Sequence, residues 1–107
     1  MTSAHPRHYL APVMHSPIRL SILAVLAEVE EAEFRFVAET VEVNAATLSR
    51  QVTVLDEAGL VHIRKGQAGR RSRTWLSLSD HGRQSFAEYL TALRAITGTG
   101  SPQDREE

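Results

Sequence analysis

The hydrophobic positions in the first half of the chain recur with the period of an α-helix. A helix is predicted over residues 16–28, because Ser16 is a suitable N-cap and Pro17 fits the first turn, where its missing N–H costs nothing. This segment is apolar on nearly every side, which indicates a buried helix. A second helix is predicted over residues 34–42, and the acidic stretch EVEEAE before it is expected to be a solvated connection.

A third helix is predicted over residues 45–58, directly after a connection too short to be a loop of its own. Asn44 is a suitable N-cap, and Gly59 can end the helix in the left-handed conformation. The buried stripe would consist of Leu48, Val52 and Leu55. The outward face begins with small and polar residues, namely Ala46, Thr47, Ser49, Arg50 and Thr53.

After Gly59 the period of the apolar positions changes from 3.6 to 2, which predicts two short strands. The segment GQAG at 66–69 breaks the alternation, so we expect a two-stranded antiparallel hairpin with a mobile basic tip. Ser79 then caps a helix over 80–96. The seam of this last helix consists of Phe86, Tyr89, Leu90, Leu93 and Ile96. The expected fold is mainly α with a small hairpin, a winged helix-turn-helix.

A chain of 107 residues is expected to form one domain. We expect residues 1–14 to be an N-terminal arm, 15–96 the winged helix-turn-helix domain, and 97–107 a disordered tail rich in Gly, Ser and acids. The chain has no cysteine, which excludes disulfides and thiolate metal sites. It lacks both an apolar run of about 20 residues and a signal-peptide segment, so we expect a cytoplasmic protein without a membrane partner.

The net charge of -1 hides a separation of charge along the chain. Residues 28–42 contain six glutamates and one arginine, whereas residues 59–83 contain six Lys or Arg and one aspartate. A clustered basic patch can attract phosphate even when the total charge is near zero. The basic residues of the predicted hairpin are Arg64, Lys65, Arg70, Arg71 and Arg73.

The third helix and the hairpin together suit double-stranded DNA. A helix in the major groove presents its N-terminal residues to base edges, and small polar residues and arginine can read them. Asn44 and the free N–H groups at the helix start favour a nearby phosphate. Basic residues on the hairpin would add sequence-independent phosphate contacts. Each feature alone has a plain alternative, a solvated helix face or a solvated hairpin tip.

The run LSRQVTVLDEAGLV followed by GRRSRTWLSLSDHGRQSFAEYLTAL resembles winged-helix transcriptional regulators of the MarR/ArsR-like group, in its compact one-domain subfamily. The segment HSPIRLSILAVL is similar to the opening helix of that subfamily, and the resemblance covers about residues 12–96. It implies a dimeric DNA-binding regulator. Ser49 and Arg50 would be recognition-helix contacts, and the wing contacts would be Arg70, Arg71 and Arg73.

Two positions depart from the subfamily pattern. Glu42 stands where a glycine is common in the turn between the two helices. Ser72 lies where a proline often precedes the second wing strand. These departures concern the geometry of the turn and the rigidity of the wing.

The helix over 80–96 is expected to form a homodimer, which suits a palindromic operator; alternatively, it packs back on the first helix of its own chain. A second functional hypothesis is a winged-helix protein-interaction module that never binds DNA. An enzyme is not expected, because no catalytic motif accompanies Ser49, His62 and Asp80.

The sequence gives no sign of a cofactor. The arm histidines lie in a proline-flanked segment with no thiolate and no strong carboxylate pattern beside them, so no metal site is expected; they are His5, His8 and His15. A small-molecule effector between the dimer helices and the core is compatible with the sequence, which does not locate a pocket for it.

Overall fold

The computed structural model describes residues 5–98 and has the winged-helix arrangement of helices and strands. Two short 3₁₀ helices, Pro6–Tyr9 and Pro12–Met14, precede the main elements. In chain order these are α1 (Pro17–Ala27), β1 (Ala32–Glu33), α2 (Phe34–Thr40), α3 (Ala45–Glu57), β2 (Val61–Ala68), β3 (Arg71–Leu78) and α4 (Asp80–Thr97). The strands form one antiparallel sheet in the order β1-β3-β2.

The three predicted N-caps are confirmed. The Ser16 hydroxyl accepts a hydrogen bond from the Arg19 N–H at 3.2 Å, and the Asn44 side-chain oxygen accepts one from the Thr47 N–H at 2.8 Å. The Ser79 hydroxyl caps α4 by accepting from the Gly82 N–H at 2.8 Å. Each cap satisfies one of the N–H groups that a helix start leaves without an intrahelical partner.

The turns after α2 and α3 have the same backbone form but different residues at the critical position. Gly59 ends α3 with φ of 75°, as predicted. Glu42 holds the equivalent position after α2 with φ of 60°, the only non-glycine residue with positive φ among residues 5–98. The Val43 N–H donates to the Ala38 carbonyl at 3.0 Å, which closes the turn in the manner of a Schellman motif. Glu42, which replaces the glycine common in the subfamily, therefore adopts the left-handed conformation that favours glycine.

The prediction of a two-stranded hairpin is wrong, because the sheet has a third strand. Ala32 pairs with Leu76 and Glu33 with Trp75, so the end of the acidic stretch lies in the sheet and Ala32 is buried. Two residues are too few to show a period, which is why the pattern of the sequence did not indicate this strand.

The hairpin is also longer than predicted. β2 continues to Ala68, inside the expected break at 66–69, and its register with β3 runs to the pair Ala68–Arg71. Only Gly69, with φ of 68°, and Arg70 remain as the turn. Arg71 and Arg73 consequently belong to strand β3 rather than to a tip loop.

The core is built from side chains of all four helices and the sheet, and it extends into the arm. Its fully buried large side chains are Met14, Ile22, Leu23, Leu26, Val37, Leu48, Leu55 and Leu76. Arg19 ties the arm to α3: its Nε donates to the Val13 carbonyl at 2.6 Å and its Nη1 to the Gln51 side chain at 2.8 Å. The carboxyl end of the arm thus helps to position α3.

The start of α4 lies directly against the start of β2. A Cβ on Gly82 would lie 1.9 Å from the Leu60 carbonyl oxygen, so only glycine permits this approach. The same oxygen accepts a hydrogen bond from the Ser79 N–H at 3.0 Å. The expected tail lies almost entirely in residues 99–107, outside the described residues.

Candidate nucleic-acid interface

The outward face of α3 is arranged as predicted. Leu48, Val52 and Leu55 are buried, whereas Ala46, Ser49, Arg50 and Thr53 are exposed and Thr47 is half-buried. Arg50 has no acidic partner within residues 5–98, and its Nη2 lies 3.5 Å from the Thr47 hydroxyl. The Thr53 hydroxyl donates to the Ser49 carbonyl at 2.9 Å, which leaves its oxygen lone pairs free to accept a hydrogen bond. The face is therefore polar, accessible and positively charged at its middle.

A cleft of about 320 Å³ joins α3 to the wing. Its polar lining consists of Ser49 and Thr53 from α3, Lys65 from β2 and Thr74 from β3. Phe34, Val52, Ile63 and Leu76 complete it. The recognition face of α3 and a basic residue of the wing thus share one surface, which is the arrangement that a duplex lying across both would need.

The basic residues of the wing are divided between the two faces of the sheet. Residues that alternate along a strand point to opposite faces, and paired residues point to the same face. Lys65 pairs with Thr74 and faces α3, whereas Arg64, Arg73 and Arg71 lie on the opposite face, where their partners are Trp75, Gly66 and Ala68. The five basic residues are clustered in sequence, but they do not form a single patch.

Two of the wing arginines are bound to acids from the segment before α2. Arg64 makes two hydrogen bonds of 2.8 Å to the Glu31 carboxylate, and its guanidinium carbon lies 4.3 Å from the centre of the Trp75 ring. Arg73 forms an ion pair with Glu33. The acids and bases that are separated along the chain therefore meet in the fold.

The bidentate pair shifts the protonation equilibria of both partners. The hydrogen bonds from Arg64, aided by its charge, lower the pKa of Glu31 below 4.5 despite some desolvation. The same contacts raise the pKa of Arg64. Both groups are accessible to solvent, so water screens this interaction and its contribution to stability is small.

The other basic residues predicted to contact DNA have no acidic partner in the described part of the chain. Within residues 5–98, four of the six basic residues predicted as contacts form no ion pair: Arg50, Lys65, Arg70 and Arg71. Arg70 lies in the two-residue turn at the end of the wing. The Asn44 side chain is occupied by capping, so its part in an interface would be to organise the start of α3.

The residues proposed for a dimer interface differ in exposure. Phe86 and Tyr89 are buried within the chain, whereas Leu90 and Leu93 are half-buried and Ile96 is 38% exposed. Because Phe86 and Tyr89 are buried, they offer little surface to a partner, so the surface left for a dimer interface consists of Leu90, Leu93 and Ile96. Instead of packing mainly on α1, α4 meets the first 3₁₀ helix, and a groove of about 630 Å³ lies between them, lined by Pro6, Tyr9, Ala87, Glu88, Thr91, Ala92 and Ala95.

Several residues that shape the interface had no clear signal in the sequence. Glu31 and Glu33 lie 33 and 40 positions from their arginine partners, beyond the reach of any local pattern. Arg19 was hidden in a segment that reads as apolar, although it anchors α3. The glycine at position 82 was a visible anomaly inside a predicted helix, and such a glycine often marks close packing.

His5 has a structural contact rather than a metal-binding one. Its Nδ1 accepts a hydrogen bond from the Arg7 N–H at 3.1 Å, which caps the first 3₁₀ helix. In the described part of the chain no group of three or more His, Asp or Glu side chains is placed to hold a metal ion.

Residues 18–97 match the family described as winged helix DNA-binding domain. The chain belongs to this family. It is 28% identical over 85 residues to an uncharacterized protein of Methanocaldococcus jannaschii, which covers 79% of this chain and 92% of the relative. The family match confirms the winged-helix DNA-binding domain that the resemblance to MarR/ArsR-like regulators implied.

Two solved structures support the fold. A transcriptional regulator homologue from Pyrococcus horikoshii is 26% identical with a TM-score of 0.76, and the match covers 81% of this chain and 86% of that one. A homodimeric winged helix-turn-helix DNA-binding domain from Mycobacterium bovis is 21% identical with a TM-score of 0.69, covering 90% and 85%. None of the helices within residues 5–98 combines the length and the hydrophobicity that a membrane span requires.

Proposed function

We propose that this protein is a sequence-specific transcriptional regulator that binds double-stranded DNA through α3 and the wing. Membership of a DNA-binding family supports DNA as the binding partner. The main observation for the site is the cleft that Ser49, Thr53 and Lys65 line together. It joins the face suited to base reading with a cation suited to phosphate. Such a protein would act in the cytoplasm by occupying a promoter.

The two parts of the surface have different tasks. Arg50 projects from the middle of the exposed face of α3, where a guanidinium can make two hydrogen bonds to a guanine edge. Ser49 and Thr53 are small enough to let the helix backbone approach the bases. Lys65, Arg70 and Arg71 would contact phosphates, which raises affinity without regard to sequence.

We further propose that the regulator is a homodimer on a palindromic operator. Two recognition helices about 34 Å apart would meet successive major-groove faces of such a site. Leu90, Leu93 and Ile96 supply apolar surface near the end of α4. The homodimeric state of the Mycobacterium bovis domain is consistent with this assembly.

Charge reversal tests the site directly. The double variant Arg50→Glu with Lys65→Glu should bind neither selected nor random duplexes while keeping its thermal unfolding temperature, because both side chains are exposed and unpaired. Arg7→Glu with Arg83→Glu is the matched control, since it makes the same change of net charge at exposed positions away from the cleft. Binding that survives the first variant would favour a protein-interaction module.

Selection from a random duplex library tests the assembly. The recovered sites should contain inverted repeats whose half-site centres are about 10 base pairs apart, because one helical turn separates the two recognition helices. Recovery of single half-sites alone would refute the palindrome and the dimer that reads it.

A further inference from the structure

A second cleft, of about 190 Å³, lies between the start of α2 and strand β3. Its charged lining consists of Arg35 from α2, Arg71 and Arg73 from β3, and Glu33 from β1. Only Arg73 is paired with the acid, and within residues 5–98 neither Arg35 nor Arg71 has an ion-pair partner. The cleft is therefore positively charged, and Arg35 is a cation that the sequence pattern did not associate with the wing.

This α2–β3 cleft continues the surface of the α3–wing cleft. Both are lined by Phe34 and Thr74, so they adjoin at these two side chains. β1 pairs with β3 only at Trp75 and Leu76, which leaves this edge of β3 without a neighbouring strand at residues 71–74. A ligand that follows the surface from α3 would reach Arg35 and Arg71 beside an open strand edge.

The volume and chemistry of the α2–β3 cleft suit a phosphate group. A water molecule's share of liquid is about 30 Å³, so the cleft has room for a phosphate with part of its hydration. A guanidinium binds carboxylate and phosphate through the same planar pair of N–H groups. Glu33 and Arg73 are 30% and 33% exposed, so an incoming anion can reach this pair.

We infer that the α2–β3 cleft binds a phosphate of the DNA backbone through Arg35 and Arg71, and that Glu33 holds Arg73 as an internal substitute for that phosphate. The inference rests on the proposed function and extends its contact surface. When the duplex binds, the phosphate takes over Arg73 from the carboxylate. The negative charge of Glu33 opposes this exchange, so the free protein limits its own affinity for DNA.

Removing the charge of Glu33 gives the most discriminating test. Glu33→Gln keeps the shape of the side chain and should tighten binding to a random duplex roughly fivefold, the effect of one screened charge about 4 Å away. Glu31→Gln is the matched control, since it makes the same charge change but releases Arg64, which lines neither of these two clefts. Equal tightening by both variants would reflect net charge alone and would overturn the inference.

The second measurement is the salt dependence of binding. Arg35→Ala should lower the slope of log affinity against log salt by about one unit and weaken all duplex sequences equally. Arg83→Ala, an exposed arginine outside the clefts, should leave that slope within about half a unit of wild type, since it removes no phosphate contact. An unchanged slope for Arg35→Ala overturns the inference.

The outcomes separate the inference from the proposed function. If wild type binds duplexes and Arg50→Glu with Lys65→Glu abolishes binding, while Arg35→Ala leaves the slope unchanged, only the α2–β3 cleft is refuted. If wild type binds no duplex, the proposed function is refuted, and the inference that rests on it is refuted as well. The third probe is inorganic phosphate, titrated at matched ionic strength. One outcome is that phosphate shifts the NMR signals of the Arg35 side chain while Arg35→Ala leaves duplex binding unchanged. That combination would mean that the cleft binds free anions, and it would overturn its role with DNA.

Discussion

Replacing Gly82 by alanine should destabilise the protein although alanine is the better helix former. The added methyl carbon would lie 1.9 Å from the Leu60 oxygen, 2.8 Å from its carbonyl carbon and 3.1 Å from its Cα, whereas ordinary contact begins at 3.4 Å. All three neighbours are backbone atoms, so α4 or the start of β2 must move. Moving the Leu60 carbonyl also disturbs its hydrogen bond with the Ser79 N–H.

The magnitude follows from three contributions. Overpacking of this kind costs about 1–3 kcal/mol, and a weakened hydrogen bond adds about 1 kcal/mol. The higher helix propensity of alanine returns up to about 1 kcal/mol. The net loss in free energy of unfolding should be about 1–4 kcal/mol, and each kcal/mol lowers the unfolding temperature of a domain this size by about 4–8 °C.

Thermal unfolding followed by the fluorescence of Trp75, the only tryptophan, measures this loss. Protein concentration must be held constant, because self-association shifts the unfolding temperature. Gln84→Ala is the control on the same helix: its side chain is exposed, and the change should stay within about 0.5 kcal/mol of wild type. A Gly82→Ala protein as stable as this control would refute the close-packing argument.

Three other predictions follow from features of the described residues. Glu42→Gly should raise the unfolding temperature, because glycine relieves the left-handed strain of about 1–2 kcal/mol at this position. This gain exceeds the cost of about 0.4–1 kcal/mol from the higher entropy of the unfolded chain. A lower unfolding temperature would contradict the prediction. If wild type forms the proposed dimer, Ile96→Glu should give monomers by light scattering, because it places a charge on the exposed apolar end of α4; a persistent dimer would place the interface elsewhere. The stability advantage of wild type over Glu31→Gln should be present above pH 4.5 and disappear as the pH falls below it, because the folded pKa of this carboxyl is lowered; an advantage that persists at low pH would exclude the ion pair as its source.

Local patterns predicted the parts of the fold that depend on neighbouring residues. The caps at Ser16, Asn44 and Ser79 and the left-handed Gly59 are each set by one side chain and the helix next to it. The division of α3 into a buried and an exposed face follows from its 3.6-residue period, which is why Arg50 was correctly expected at the surface.

Features that depend on long-range pairing were not predictable in this way. β1 is a strand only because Ala32 and Glu33 meet β3 more than 40 residues later. The predicted break begins at Gly66, yet residues 66–68 stay in the ladder because their partners across the hairpin continue the register. For the same reason, the number of basic residues in the wing sequence overstated the size of its basic patch. The strand register decides on which face of the sheet each side chain lies. In addition, Glu31 and Glu33 form ion pairs with two of the arginines.

The strands of the sheet differ in length, so the wing is supported by a third strand only at the end near α4. β2 and β3 each contain eight residues, about 26 Å at 3.3 Å per residue, but β1 supports them only beside Trp75 and Leu76. Beyond that support the ribbon has two strands, an arrangement that is only marginally stable by itself. Bending is therefore concentrated just past Trp75, and a small rotation there swings Arg70 through a wide arc while α3 keeps its place.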